Sequence, residues 1–261
     1  MAKLSLEGVT LHYQLLSPHP EPQRASAPCV VYLHGLVMDN LSSGYFTFAQ
    51  ALSAERSLLL YDLRGHGKSS LTPQGYKVTE HVDELLRLLE ALGLGAAPLH
   101  LVGSSFGGAV AMEAARRHPK RVQSLVLIDG HPSSRAFFEQ LGADLSAPPE
   151  AQQALIAQHF QHWLSRGVPR RRDRLAQRAE ALIHETSLLD DLRAGAPELS
   201  GPLPPTLALY GAESDALSFA QRALAGRPEV TWRLFSGRSH ALLWEETDAV
   251  REALLEWFRA R

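Results

Sequence analysis

Residues 99–108, Leu99-His100-Leu101-Val102-Gly103-Ser104-Ser105-Phe106-Gly107-Gly108, decide how this chain folds. Leu99–Val102 is a short apolar run of strand type, and Phe106–Arg117 carries apolar residues at the i, i+3 and i+4 spacing of a helix. Between them, residues 103–107 fit the pattern G-x-S-x-G. A serine held between strand and helix occupies a sharp, strained turn whose neighbours must lack side chains, and Gly103 and Gly107 supply that room. The turn lifts the Ser105 hydroxyl above the sheet, at a helix N-terminus whose unsatisfied N–H groups and dipole favour an anion. Alone, the pattern also fits an inert glycine- and serine-rich turn. The strand before it and the helix after it favour chemistry. Ser104 fills the variable position and is expected to be structural.

Outward from this centre the alternation repeats. Wholly apolar runs at Cys29–Leu33, Ser57–Tyr61, Val122–Ile128, Thr206–Tyr210 and Val230–Phe235 suit strands covered on both faces, hence a mostly parallel sheet. Helical spacing recurs at Val78–Leu92 and Ala216–Ala225, so the fold class is α/β with helices flanking the sheet. Lys3–Glu7 and Val9–Leu16 read as a hairpin turning at Glu7-Gly8, followed by a proline-rich loop from Ser17 to Pro28. From His131 to Leu203 only helical patterns occur, at Phe137–Leu141, Ala151–Leu164, Arg174–Ile183 and Ser187–Leu192. Residues 131–203 are therefore expected to form a helical cap inserted after the sixth strand. Residues 1–130 and 204–261 are expected to form the core.

Charge and cysteine usage exclude several classes. With 26 basic against 28 acidic side chains, the formal net charge of −2 leaves no cationic excess for phosphates, and nucleic-acid binding is not expected. The single cysteine, Cys29, permits neither an internal disulfide nor a multi-thiolate metal site, and in an apolar strand it behaves as a small apolar residue. Met1 to Glu7 holds no sustained apolar core, and no run approaches the roughly 18 residues a bilayer span requires, so neither a signal peptide nor a membrane segment is expected. A cytoplasmic location follows as an expectation. His159 and His162 stand i, i+3 without a carboxylate at i+4 from either, and read as surface or lid residues rather than metal ligands. No cofactor is expected.

Two further motifs precede the central turn. Val30-Val31-Tyr32-Leu33-His34-Gly35-Leu36 is a strand ending in His-Gly, from which the Leu36 N–H can face Ser105. With the Phe106 N–H it would make a two-donor oxyanion hole, each donor typically worth about 2.7–4 kcal/mol in the transition state. His34 reads better as a residue that orients backbone. Asp62-Leu63-Arg64-Gly65-His66-Gly67-Lys68-Ser69 ends like a phosphate-binding loop, but Asp62 stands where the first glycine is required. It reads as a tight loop in which Asp62 and Arg64 pair. Asp39 and Asn40 read as turn formers.

Taken together, His34-Gly35, residues 62–69 and residues 103–108 resemble the α/β-hydrolase superfamily, in its motif order and over essentially the whole chain. The resemblance implies an acid and a histidine downstream, in the order Ser, Asp, His. Gly211-Ala212-Glu213-Ser214-Asp215 follows one strand and Ser236-Gly237-Arg238-Ser239-His240 follows the last, so Asp215 and His240 fall at the carboxyl edge of the sheet beside Ser105. The acid commonly lies three residues after the strand-ending glycine. Ser214 holds that place, so Glu213 competes with Asp215, and Asp129 at the end of Val122–Ile128 competes from another strand. Ser239 replaces the usual glycine before the histidine.

The implied chemistry is acyl transfer through Ser105. A serine hydroxyl needs a base during attack, and His240, with an ordinary histidine pKa near 6.5, suits that task. The carboxylate fixes the imidazole tautomer and stabilises the imidazolium. The expectation is a cofactor-independent serine hydrolase acting on an ester, thioester or lactone of a small to medium apolar acid. Phe137, Phe138, Phe160, Trp163 and Leu164 are expected in the lid's core and underside. Carbon–carbon bond hydrolysis, a trans-acting thioesterase role and a non-catalytic ligand-binding role are the alternatives. The basic run Pro169-Arg170-Arg171-Arg172-Asp173-Arg174 is read first as a solvated helix start, and second as a contact for an acyl carrier.

Overall fold

The computed structural model describes residues 2–18, 28–132, 134–148, 151, 169–195 and 198–261. Eight strands among them form one sheet: β1 (Ala2–Leu6), β2 (Val9–Leu16), β3 (Cys29–Leu33), β4 (Ser57–Tyr61), β5 (Leu99–Ser104), β6 (Val122–Ile128), β7 (Thr206–Gly211) and β8 (Val230–Phe235). Their order is β1-β2-β4-β3-β5-β6-β7-β8. The pairs β1/β2 and β2/β4 are antiparallel and every later pair is parallel. The apolar runs therefore form parallel strands, and the fold is the expected α/β arrangement. Edge strand β8, however, is not covered on both faces as expected: Thr231, Arg233 and Leu234 are exposed.

Alternation along each strand divides the core. Val31, Leu33, Leu59, Tyr61, Leu101 and Leu127 join one buried cluster. Val30, Tyr32, Leu58, Leu60, Val102 and Val126 join the other. Helices α2 (Val78–Ala91) and α3 (Phe106–Arg117) cover the first face. In α2, Val78, Val82, Leu85, Leu88 and Leu89 are buried at helical spacing, each contributing about 1.5–3 kcal/mol on burial. Its start is fixed by the Lys77 N–H donating to Glu80 Oε2 at 3.0 Å.

The opposite face is covered by the helical segment 42–53 (α1), whose middle, Tyr45–Ala49, is a π-turn, and by the C-terminal helices α8 (Leu242–Glu245) and α9 (Thr247–Arg259). The apolar-spacing reading did not pick out these three. Between β6 and β7 lie α4 (Arg135–Leu145), α5 (Pro169–His184) and α6 (Leu188–Arg193), and α7 (Leu217–Ala223) follows β7. Arg178 on α5 donates to the carbonyls of Gly65 and Ser69, and Ser187 N–H donates to Pro73 O at 2.8 Å. These bonds tie α5 and α6 to the loop after β4. His159, Phe160, His162, Trp163 and Leu164 lie outside the described residues, as do the side chains of 169–173.

One expectation about that loop fails. Asp62 does not pair with Arg64. Asp62 accepts from His12 Nδ1 at 2.7 Å and from the N–H groups of Leu41 and Lys68 at 2.8 Å each. Arg64 turns the other way and pairs with buried Glu84 on α2. Two residues apart on an irregular loop, the two side chains find better partners on different elements. No helix among the described residues is long and apolar enough to cross a membrane.

Candidate active site

Parallel pairing brings the strand ends together, since Leu33 lies opposite Gly103 and Ser104 opposite Ile128. The segments after β3, β5, β6, β7 and β8 thus meet at one edge, where open α/β sheets bind ligands. Ser105 sits there with φ 52° and ψ −124°, a conformation costly for a residue with a side chain. Its surroundings hold it. A Cβ on Gly103 would lie 2.4 Å from Gly107 O, and one on Gly107 would lie 2.0 Å from Leu33 O. Glycine is therefore required at both places by backbone contact, as the sequence reading expected.

The loop after β3 passes against the serine. A Cβ on Gly35 would come within 3.1 Å of Ser105 Cβ. Two histidines lock this loop to the one after β4 by reciprocal bonds. His34 Nε2 accepts from Leu63 N–H at 2.9 Å, and His66 Nε2 accepts from Val37 N–H at 2.9 Å. Each then donates through Nδ1, to Gly35 O at 2.6 Å and Arg64 O at 2.8 Å. His34 is thus the backbone-orienting residue expected, and burial holds the His66 pKa well below the usual histidine range. Val37 carries a positive φ of 66°, strained for a β-branched residue, so the His66 bond helps fix the turn just after Leu36. Asp39 is the turn former expected, accepting from Gly35 N–H and Asn40 N–H at 2.8 Å each. The N–H groups of Leu36 and Phe106 donate to no other group among the described residues.

His240 arrives from the loop after β8, with Nε2 2.9 Å from Ser105 Oγ. Ser239 N–H and Oγ clamp that loop, donating to Glu245 at 2.8 and 2.9 Å. Gly211 makes room for it, because a Cβ there would lie 2.3 Å from Arg238 O. On the far side of the imidazole, Nδ1 faces Asp215 Oδ1 at 3.3 Å and Ser214 Oγ at 3.4 Å. Glu213, the neighbouring competitor, and Asp215 are both exposed. Asp129 is buried, accepts from Gly211 N–H at 3.0 Å, and also interacts with Ser214. Burial lifts its carboxyl to about 7, against the lowering effect of those hydrogen bonds, and Asp215 nearby adds to the rise.

One residue at the centre escaped the sequence reading. His131 Nε2 lies 3.0 Å from Ser105 Oγ, and its backbone N–H donates to Ser105 O at 2.7 Å. Its ring stacks on His240, with centroids 5.3 Å apart and planes at 29°. The available signal was position: Asp129-Gly130-His131 directly follows β6, the strand paired with β5.

A histidine in proton-transfer reach of a strained serine, at the carboxyl edge of an eight-stranded α/β sheet, defines a class. The chain belongs to the α/β-hydrolase family and is a hydrolase of that fold: the profile of the alpha/beta hydrolase fold matches residues 28–239. It is similar to the protein named "Putative carbamate hydrolase RutD" from Pantoea ananatis (strain LMG 20103), 30% identical over 268 residues, covering 95% of this chain and 93% of that one. It is also similar to the sn-1-specific diacylglycerol lipase ABHD11 of Mus musculus, 33% identical over 143 residues, which cover 54% of this chain and 44% of that protein. Among solved structures, the enol-lactonase from Burkholderia xenovorans LB400 shares the fold with a TM-score of 0.69 at 22% identity, covering 99% of this chain and 100% of that one.

Proposed function

We propose that this protein is a serine hydrolase that cleaves an ester, thioester or lactone of a small to medium apolar acid through an acyl-enzyme. Ser105 is the nucleophile, His240 the general base and acid, and Asp215 the residue that orients it. The observation that carries this reading is the 2.9 Å approach of His240 Nε2 to Ser105 Oγ, with Nδ1 turned to Asp215. In acylation His240 takes the hydroxyl proton as Oγ bonds the acyl carbon, then returns it to the leaving group. The oxyanion is held by Leu36 N–H and Phe106 N–H, both uncommitted among the described residues. Water then attacks the acyl-enzyme by the same steps.

An apolar acyl group fits the aromatic neighbourhood. Phe137 lies 4.4 Å, ring to ring, from His131 and 5.2 Å from Phe219, and Phe138 lies 6.1 Å from Phe106. We assign residues 131–203 as the cap over a core of 1–130 and 204–261. A fluorophosphonate probe tests the reading: one adduct on Ser105 by mass spectrometry, absent in Ser105→Ala, is expected. Neither adduct nor p-nitrophenyl ester turnover would make the protein a ligand-binding member of its family instead. A panel of short- and medium-chain esters and thioesters then ranks the acyl group and separates a free substrate from a carrier-bound one.

A further inference from the structure

Two imidazoles, not one, reach the reacting oxygen. Ser105 Oγ lies 2.9 Å from His240 Nε2 and 3.0 Å from His131 Nε2. A hydroxyl has a single proton to donate and lone pairs to accept with, so the two contacts differ in direction. His240 presents Nδ1 to the Asp215 carboxylate and to Ser214 Oγ, which places its proton on Nδ1 and leaves Nε2 as acceptor. The Ser105 O–H therefore donates to His240, and the contact with His131 runs the other way, from Nε2–H to Oγ.

The fold places His131 deliberately. Asp129 at φ 44° turns the chain back at the end of β6. Gly108 and Gly130 allow their backbones to touch, since a Cβ on Gly108 would sit 2.6 Å from Gly130 Cα. The His131 N–H then anchors on Ser105 O at 2.7 Å, while its ring is held between His240 and Phe137. With both its backbone and its ring pinned to the serine, His131 has little freedom to leave it.

We propose that His131 is a second catalytic imidazole, one that donates Nε2–H to Ser105 Oγ and assists that oxygen as the leaving group of deacylation. This rests on the serine-hydrolase reading of the same site. In deacylation water adds to the acyl carbon while His240 takes a proton from it. The tetrahedral intermediate then collapses, the bond from carbon to Oγ breaks, its electron pair goes to Oγ, and His240 returns the proton there. A donor on Oγ stabilises the negative charge growing on it during that collapse. His131 gives up no proton and ends each turnover as it began. In acylation the same bond lowers the nucleophilicity of Oγ while easing loss of its proton, so the two effects offset and the attack step changes little.

Stopped-flow hydrolysis of p-nitrophenyl acetate separates the steps. His131→Phe keeps a ring between His240 and Phe137 but has no donor. Its deacylation is expected to slow by about tenfold to a hundredfold, the scale of one hydrogen bond to a charged group. The acyl-enzyme should then accumulate as a burst and as an acetyl adduct on Ser105. His131→Gln, whose amide Nε2 reaches about as far as the imidazole Nε2, should restore the rate to within a few-fold and abolish the burst. Equal deficits in the Phe and Gln variants, or a Phe variant with wild-type kinetics, would overturn the role. Should the Phe variant not fold, His131→Asn, whose amide is too short, takes its place against Gln with the same expected contrast. The two readings fail separately: a wild-type protein unlabelled by fluorophosphonate overturns the serine mechanism itself, whereas labelled, active protein without the Phe/Gln contrast overturns only the second imidazole.

Discussion

Replacing Asp215 by Asn tests which carboxylate serves His240, and the structure sets the size of the effect. In the proposed mechanism His240 would gain a positive charge on taking the serine proton, with Nδ1 3.3 Å from Asp215 Oδ1. Unit charges at that distance attract by about 1.3 kcal/mol at the permittivity of water and about 5 kcal/mol at an effective value of 20. The Asp215 side chain is 57% exposed, so solvent screens the pair and an intermediate figure of about 3 kcal/mol applies. That corresponds to a loss in kcat of about 10², smaller than the roughly 10⁴ seen where a triad acid is buried. Asp129→Asn should behave differently. With a pKa raised to about 7, Asp129 is mostly protonated below neutrality, and the amide resembles that neutral form. Its variant should match wild type at pH 6 and lose activity at pH 8, where the native carboxyl has ionised and adds negative charge beside Ser214, whose Oγ lies 3.4 Å from His240 Nδ1. The assay is kcat against pH from 5.5 to 8.5 for wild type and both variants, with an acyl-enzyme trap to identify the limiting step. A larger loss in Asp129→Asn than in Asp215→Asn across the whole range would refute the assignment and move the acid to β6.

Gly107→Ala should abolish fluorophosphonate labelling and lower Tm by several degrees, because its Cβ would lie 2.0 Å from Leu33 O in a contact between two backbones. Glu84→Gln breaks the buried pair with Arg64 and should cost about 3–5 kcal/mol by urea unfolding, since the guanidinium stays behind without its counter-charge. His100 is buried with Nδ1 2.8 Å from Ser124 Oγ, and burial lowers its pKa to about 4. Between pH 6.5 and 4 the unfolded chain takes up a proton there that the folded one refuses. Stability from this residue is therefore complete above pH 6.5 and falls on acidification by about 1.4 kcal/mol per pH unit. His81, lowered to about 3 by burial, acts in the same direction, while Asp129 acts in the opposite one between about pH 4 and 7. His100→Gln should accordingly flatten the unfolding free energy against pH by about 1.4 kcal/mol per unit in that window, and an unchanged slope would contradict it.

The sequence by itself determined the layered α/β fold, because unbroken apolar runs and helical spacing are local properties that burial on two faces converts directly into strands and helices. It also determined the strained turn at Ser105, whose flanking glycines are required by backbone clashes within a few residues of the turn and against the neighbouring strand. What it did not determine depended on which segments the sheet order brings side by side. Arg64 chose Glu84 over Asp62 because α2 passes beside it. The helical segment 42–53 is short and interrupted by a π-turn, so although Phe48, Ala49 and Leu52 face the core at helical spacing, the run is too brief to announce a helix. His131 carries no motif of its own. Only the pairing of β6 with β5, the positive φ of Asp129 and the contact between Gly108 and Gly130 swing its ring onto the serine. Likewise Asp215, Asp129 and Glu213 are equivalent as acids in sequence; the 3.3 Å approach of Asp215 to the His240 imidazole and the burial of Asp129 exist only once the chain has folded.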